Sequence, residues 1–328
     1  MKPVGPSSPR SPGIVAIKHA TPPTIQTAAE LAPLLGQTES WITEHAGVNN
    51  RHVCELYDDP AKLVATIAKP IIDEHGKPDL LINASTMPRQ LLPDGAVFMA
   101  RELQLVNTQA FSINASCLSF LVALNTACAL INQSSLDSVL ICSCEFPSLS
   151  RNFDQPESAA LFGDGAAVAL VKANAGAGLD LFQMETYPAA AEFAQLRGGG
   201  VLRMPAAPAT TDADHLFDMQ GEALLRFTLP RLTRFLRNFL ESANLTINDI
   251  DLVVPHQASK SGMQIVEKLG FPPEKIINVL PDYGNCVAAS IPLALSIANE
   301  TGRLKSGDRV LLLGTAAGMS IGAGILQW

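Results

Sequence analysis

Charge is scarce in this chain. Only 16% of its 328 residues are charged, against 47% hydrophobic, and Lys and Arg together number 23 for a net charge of −8. So thin a basic complement argues against nucleic acid as the main partner, because phosphate-backbone binding rests on dense Lys/Arg contacts. With so few charges, much of the secondary structure should be covered on both faces, as two domains or one large layered unit. Cysteine is also sparse. The six, at 54, 117, 128, 142, 144 and 286, lack the spacing of a disulfide framework. Met1–Pro12 is rich in Pro and Ser and lacks the apolar core of a signal peptide, so reduced thiols in the cytoplasm are expected. Cys142-Ser-Cys144 has no second Cys or His pair nearby and reads as a buried strand rather than a metal site; no metal is expected. The one long uncharged stretch, 34 residues between Glu102 and Asp137, is broken by Asn107, Gln109, Asn114, Asn125, Asn132 and Gln133. That polar density is wrong for lipid and suits a strand and helix in a protein interior, so no membrane span is expected.

Strand-like apolar runs recur at Gly13–Ile17, Leu80–Asn83, Ala110–Ile113, Ser138–Cys142, Ala166–Val171, Leu252–Val254, Arg309–Leu313 and Gly322–Leu326. Helical patterns lie at Ala61–Glu74, Leu118–Asn132, Gly221–Ser242, Ser261–Leu269 and Ile291–Thr301. The alternation predicts an α/β protein with mixed, covered sheets. Residues 1–12 read as a disordered leader, 13–175 and 176–328 as two halves, and 175–215, rich in Gly, Ala and Pro, as a link with an insertion.

The halves resemble each other. Asn114-Ala-Ser-Cys-Leu-Ser-Phe-Leu-Val-Ala-Leu124 is similar to Asn285-Cys-Val-Ala-Ala-Ser-Ile-Pro-Leu-Ala-Leu295. Asp137-Ser-Val-Leu140 and Asp308-Arg-Val-Leu311 come after them at the same interval of 23 residues. A duplicated unit would set two buried helices back to back, with Cys117 and Asn285 at matching ends.

Cys117 stands where small residues lead into the buried helix pattern. A thiol at a helix N-terminus faces unsatisfied N–H groups and the positive end of the macrodipole, so the residues predict a favoured thiolate and a nucleophile. Two further motifs sit where apolar runs end: Val253-Val-Pro-His256-Gln-Ala-Ser259 and Pro281-Asp-Tyr-Gly-Asn285. Phe162-Gly-Asp-Gly165 reads as a connecting turn held by Asp164. Gly314–Gly324 fits either a backbone that approaches a ligand closely or a packed final strand with a tight turn.

Taken in order, Trp41–Arg51, Ala115–Phe120, Phe162–Ala166, Pro255–Ala258, Tyr283–Asn285 and Gly314–Gly322 resemble the thiolase superfamily, in its ketoacyl-acyl carrier protein synthase III branch. The resemblance implies a thiolase-like fold of two pseudo-repeated halves in α-β-α-β-α layers. It implies that Cys117 accepts an acyl group from a thioester and that His256 and Asn285 are its partners. Backbone N–H groups of Cys117 and Ala317 would form the oxyanion hole. The chemistry implied is acyl loading followed by decarboxylative condensation with a malonyl-type thioester, the enolate oxygen being held by His256 and Asn285. Substrates would be thioesters of coenzyme A or acyl carrier protein, with no permanently bound cofactor. Trp41 and His45 would contact the nucleotide, Arg226 and Lys260 would dock the carrier, and the protein would be a homodimer.

Departures concern the donor. His45 stands where the family has Arg, Ser261 beside Lys260 replaces another Arg, Thr315 replaces a bulky Phe, and Ser-Cys-Leu-Ser surrounds the nucleophile. A specialised enzyme using longer or unusual acyl groups in a secondary pathway is therefore expected. Transfer to an oxygen or nitrogen nucleophile also fits the residues. Condensation of two acyl chains without decarboxylation fits less well, because Gln90-Leu-Leu-Pro93 lacks the Glu that such relatives use. A cysteine hydrolase would share Cys, His and Asn but not the repeat or the Gly-rich ending. A silent partner subunit is disfavoured by three filled reactive positions.

Overall fold

A computed structural model of the chain describes residues 10–133, 136–174 and 178–328. Two sheets carry the fold. The five-stranded sheet runs Gly13–Ala20, Gly165–Lys172, Ser138–Glu145, Leu80–Asn83, Gln109–Ser112. Its first two pairings are antiparallel and its last two parallel. The four-stranded sheet runs Leu179–Thr186, Ser320–Gln327, Arg309–Ala316, Leu252–Pro255, again antiparallel, antiparallel, parallel. A parallel bridge from Val253 to Ile276 marks the place of a fifth strand. The repeat read from sequence is thus repeated in topology.

Alternation along each strand sorts the core into layers. Leu80, Ile82, Val139, Ile141, Leu252, Val254, Val310 and Leu312 meet in one cluster with the helices Ser119–Gln133 and Ser290–Glu300. The intervening Leu81, Leu140 and Val168 pack outward against the helices Pro60–His75 and Gly95–Glu102. Val253, Leu311 and Leu313 pack outward on the other side, against Gly221–Ser242 and Lys260–Lys268. Helix, sheet, helices, sheet, helix is the layering expected. By length and apolarity Ser116–Gln133 could cross a bilayer, but Phe120, Leu121, Ala123, Leu124, Ala127 and Ile131 are buried between the sheets.

The final strands are glycine-rich so that this helix can approach. An ideal Cβ on Gly314 would stand 2.9 Å from Leu118 Cδ2, and one on Gly324 would stand 3.0 Å from Leu121 Cδ1. Gly318, at φ +119°, turns the Arg309–Ala316 strand back into Ser320–Gln327.

Some expectations need correction or fall elsewhere. The stretch 175–215 is more than a link, for it contains Leu179–Thr186, an edge strand of the second sheet. An antiparallel pair of strands, Thr24–Thr27 with Asn50–Val53, has no counterpart in the sequence reading. The boundary between 175 and 176, and the leader up to residue 9, lie outside the described residues. Arg10 itself donates to the Leu136 carbonyl at 2.8 Å.

Candidate active site

The turn that presents Cys117 is stitched together by its own side chains. Ser116 takes φ +52°, a left-handed conformation unusual for a non-glycine residue, and its N–H donates to Asn114 Oδ1 at 3.0 Å. Ser119 Oγ accepts from Ala115 N–H at 2.9 Å and donates to Ser116 O at 2.7 Å. Helix Ser119–Gln133 begins at once, so the thiol sits just ahead of its first turn. Cys117 is half-buried, and the backbone N–H groups of Cys117 and Ala317 both point at its sulfur.

Those donors do not make a resting thiolate. Burial, and next the charge of Glu145, push the Cys117 thiol up to about 12, overriding the two backbone N–H groups. The sequence expectation of a favoured thiolate is overturned here. A helix terminus alone does not compensate a desolvated sulfur beside a carboxylate.

His256 caps the strand Leu252–Pro255, its N–H bonded to Leu313 O at 2.8 Å. The ring is buried, and among the described residues its Nδ1 has no hydrogen-bond partner. Burial lowers its pKa to about 4, so the imidazole is neutral at working pH. Its NMR titration should accordingly show no protonation between about pH 8 and pH 5; a midpoint near 6.5 would place the ring in water instead. Gly314 brings His256 and the nucleophile turn together, since its ideal Cβ would lie 3.2 Å from His256 Cβ as well as against Leu118.

Gln257, buried beside it, fixes the neighbouring loop. Its amide donates to Pro255 O and Ile277 O while its oxygen accepts from Val279 and Leu280 N–H. Asn285 lies on a second strained turn. Its Nδ2 donates to Ala258 O at 3.1 Å, two residues beyond His256, and its Oδ1 accepts from Val287 N–H at 2.9 Å. Val287, a β-branched residue, takes φ +47°. The Asn285 backbone is tied to Leu161 O and Gly163 N, which pins this turn to the Phe162–Gly165 loop. Asp164 holds that loop as expected, accepting from Cys54 N, Ser148 N and Ser148 Oγ.

Gly163 is the closest contact of this junction, for a Cβ there would stand 2.0 Å from Tyr283 O. Gly163→Ala should therefore cost at least about 1–3 kcal/mol in chemical denaturation. An unchanged midpoint would show that the two loops are not pressed together.

The remaining predicted residues lie around this centre. Trp41 and His45 share helix Glu39–His45 and stack on each other, centroids 4.7 Å apart and planes at 19°, with His45 Nδ1 2.9 Å from Trp41 O. Lys260 begins its helix against the same segment, its N–H bonded to Ala46 O at 3.2 Å. Residues 256–260 thus run from the imidazole to the Trp41 helix. Arg226 is exposed on helix Gly221–Ser242 and pairs with Glu222 one turn away. Arg231 lies 3.4 Å over the Phe227 ring, and Arg234 binds Tyr187 Oη at 3.0 Å, so this basic face is partly consumed within the chain. Thr315 is partly exposed on its strand. Cys142 and Cys144 are buried on Ser138–Glu145, the strand reading of the sequence.

Sequence reasoning missed Glu145. Its only signal was an acid closing an apolar strand ahead of Phe146-Pro147.

Comparison with known proteins identifies the family. Residues 111–188 match the family model for 3-oxoacyl-[acyl-carrier-protein (ACP)] synthase III, and residues 240–328 match the model for its C terminal region. A beta-ketoacyl-[acyl-carrier-protein] synthase III of Rhizorhabdus wittichii is 30% identical over 320 residues, covering 96% of this chain and 98% of that one. The 3-oxoacyl-[acyl-carrier-protein] synthase III structure from Aquifex aeolicus aligns with a TM-score of 0.86 at 26% identity, covering 97% of this chain and all of its own. The corresponding structure from Thermus thermophilus gives 0.86 at 28% identity, covering 96% and 99%. Matched in both halves and aligned over nearly its whole length, this chain is a thiolase-fold acyltransferase belonging to the 3-oxoacyl-[acyl-carrier-protein] synthase III family.

Proposed function

We propose that this protein loads an acyl group onto Cys117 from a coenzyme A or acyl carrier protein thioester and then condenses it with a malonyl-type thioester. The observation that carries this reading is the pair of backbone N–H groups, from Cys117 and Ala317, aimed at one sulfur whose neighbour Leu118 meets the buried, neutral His256 across Gly314.

In the loading step the Cys117 sulfur bonds to the acyl carbon and the carrier's sulfur leaves as a thiol with the Cys117 proton. The Cys117 and Ala317 N–H groups take the charge of the tetrahedral oxygen. Loss of carbon dioxide from the malonyl group then leaves an enolate. His256, uncharged, offers one ring N–H to its oxygen, and Asn285 offers the N–H not spent on Ala258 O. The enolate carbon attacks the Cys117 thioester carbon, the C–S bond breaks with its electrons going to sulfur, and the Cys117 thiolate takes a proton from solvent as the 3-oxoacyl thioester leaves. The reaction needs no further cofactor.

Trp41 and His45 offer a stacked, half-exposed surface suited to the nucleotide of coenzyme A, with Lys260 beside it for phosphate. Arg226, exposed at the start of its helix, suits an acidic carrier protein. His45, Ser261 and Thr315, in place of residues usual in the family, favour a longer or unusual acyl donor and a specialised pathway. Homodimerisation is supported by the Gln109–Ser112 strand, an outer strand of its sheet, with Phe111, Val106, Leu91 and Leu92 exposed near or along it.

Intact-mass measurement with a panel of acyl-CoA donors tests the reading. One acyl adduct per chain, mapped to Cys117 and favouring donors longer than acetyl, is expected. An adduct on another residue would overturn it.

A further inference from the structure

Glu145 ends the strand Ser138–Glu145 fully buried, near enough to the nucleophile for its charge to act on the Cys117 sulfur. Its Oε1 accepts from Thr86 N–H at 2.5 Å and from Thr86 Oγ1 at 2.9 Å; its Oε2 accepts from Thr86 Oγ1 at 2.8 Å and from Met87 N–H at 3.2 Å. The Ala288 N–H, three residues beyond Asn285, also reaches the carboxylate. The titratable groups that feel its charge are the thiols of Cys117, Cys144 and Cys286, and among the described residues no cation compensates it.

A buried carboxylate with only neutral donors around it is an expensive arrangement, and nothing in the acyl-transfer steps above uses it. Both of its oxygens already accept hydrogen bonds from Thr86 and from the Met87 and Ala288 N–H groups, so it holds these segments in place. The donors come from two segments far apart in sequence, so the carboxylate works as a clamp.

We propose that Glu145 is a positioning residue of this condensing site: it ties the Thr86–Met87 turn to the Asn285 turn and sets its negative charge against the Cys117 sulfur. The inference rests on the reading of Cys117 as the acyl acceptor. The clamp has two consequences. Asn285 keeps its orientation because Ala288, on the same turn, is anchored. The cysteine, already kept a thiol by burial, is further protected from indiscriminate alkylation because the adjacent charge opposes a second one.

Iodoacetamide alkylation of Cys117 tests the charge on the sulfur without acyl loading or carbon dioxide release, so failure of the condensing reading and failure of this inference are distinguishable; malonyl decarboxylation, read beside it, tests the clamp on the Asn285 turn. Burial raises the Glu145 carboxyl to about 7, so its charge is present above that pH and absent below it. In the unmodified protein, log rate against pH should rise steeply below about pH 6, flatten near 7 and steepen again above about 8. Glu145→Gln should remove the flattening: its alkylation should match the parent at about pH 5.5 and exceed it by about tenfold at about pH 8.5, the equivalent of roughly one pH unit in the thiol. Glu145→Asp keeps the charge but withdraws it from the turn, so it should retain a flattened profile while malonyl decarboxylation falls by about tenfold or more. A Gln-to-parent ratio that is the same at every pH would mean altered access only and would overturn the proposal. So would a parent profile with no flattening, which needs no variant to fold, or full decarboxylation in the Asp variant.

Discussion

Replacing Cys117 by alanine is expected to abolish the acyl adduct and to lower condensation by about 10⁴-fold or more, the scale seen when a covalent nucleophile is lost. Malonyl decarboxylation should survive in the same variant. The donors assigned to the enolate, His256 and Asn285, sit on other turns: one capping the Leu252–Pro255 strand, the other held by Ala258 O and Val287 N–H. The alanine also leaves the Ser116 and Ser119 bonds that shape the turn untouched. A residual adduct in Cys117→Ala, measured by intact mass, would move the nucleophile elsewhere.

The converse result is expected for the donors. His256→Ala and Asn285→Ala should each reduce malonyl decarboxylation by about 10²–10³-fold, the cost of one oxyanion donor, while acyl loading of Cys117 is largely retained. The two losses should not add in the double variant, because both groups serve one oxygen. Steady-state release of carbon dioxide, set beside a burst assay of the adduct, separates these steps. Equal loss of loading and decarboxylation in either single variant would mean that the donors serve the acylation step instead.

Much of the fold was legible in the sequence, for identifiable reasons. The strands Leu80–Asn83 and Ser138–Glu145 are covered on both faces, so Leu80–Ile82 and Val139–Cys142 read as apolar runs, and their residues divide by alternation between two helical layers. The equal spacing of the two halves reappears as equal strand order. The catalytic candidates were visible because each interrupts an apolar run at its end. The misses have the opposite character. Leu179–Thr186 is an edge strand, half-exposed throughout, with Asp180, Gln183 and Glu185 between apolar residues in a region dominated by Gly, Ala and Pro. Thr24–Thr27 is four residues long and mostly polar.

The misjudged thiolate has a different origin. The helix dipole is a local property, readable from Cys117 and the apolar run after it. The forces that outweigh it come from elsewhere: desolvation by the surrounding layers, and a carboxylate whose position in the sequence gives no hint that its charge reaches the sulfur. Glu145 was invisible for the same reason. Its partners Thr86 and Ala288 stand 59 residues before it and far beyond it, and only the packing of two turns onto one strand end reveals the clamp.

A single-turnover experiment bears most directly on the central claim, that Cys117 delivers its acyl group to a carbon freed by decarboxylation. Enzyme acylated on Cys117 would be mixed with a malonyl thioester labelled at the free carboxyl. The account predicts one labelled carbon dioxide for each adduct lost, at the same rate, with a 3-oxoacyl thioester as product. Loss of the adduct to a hydroxyl or amine acceptor, with the label retained in malonyl thioester, would contradict it.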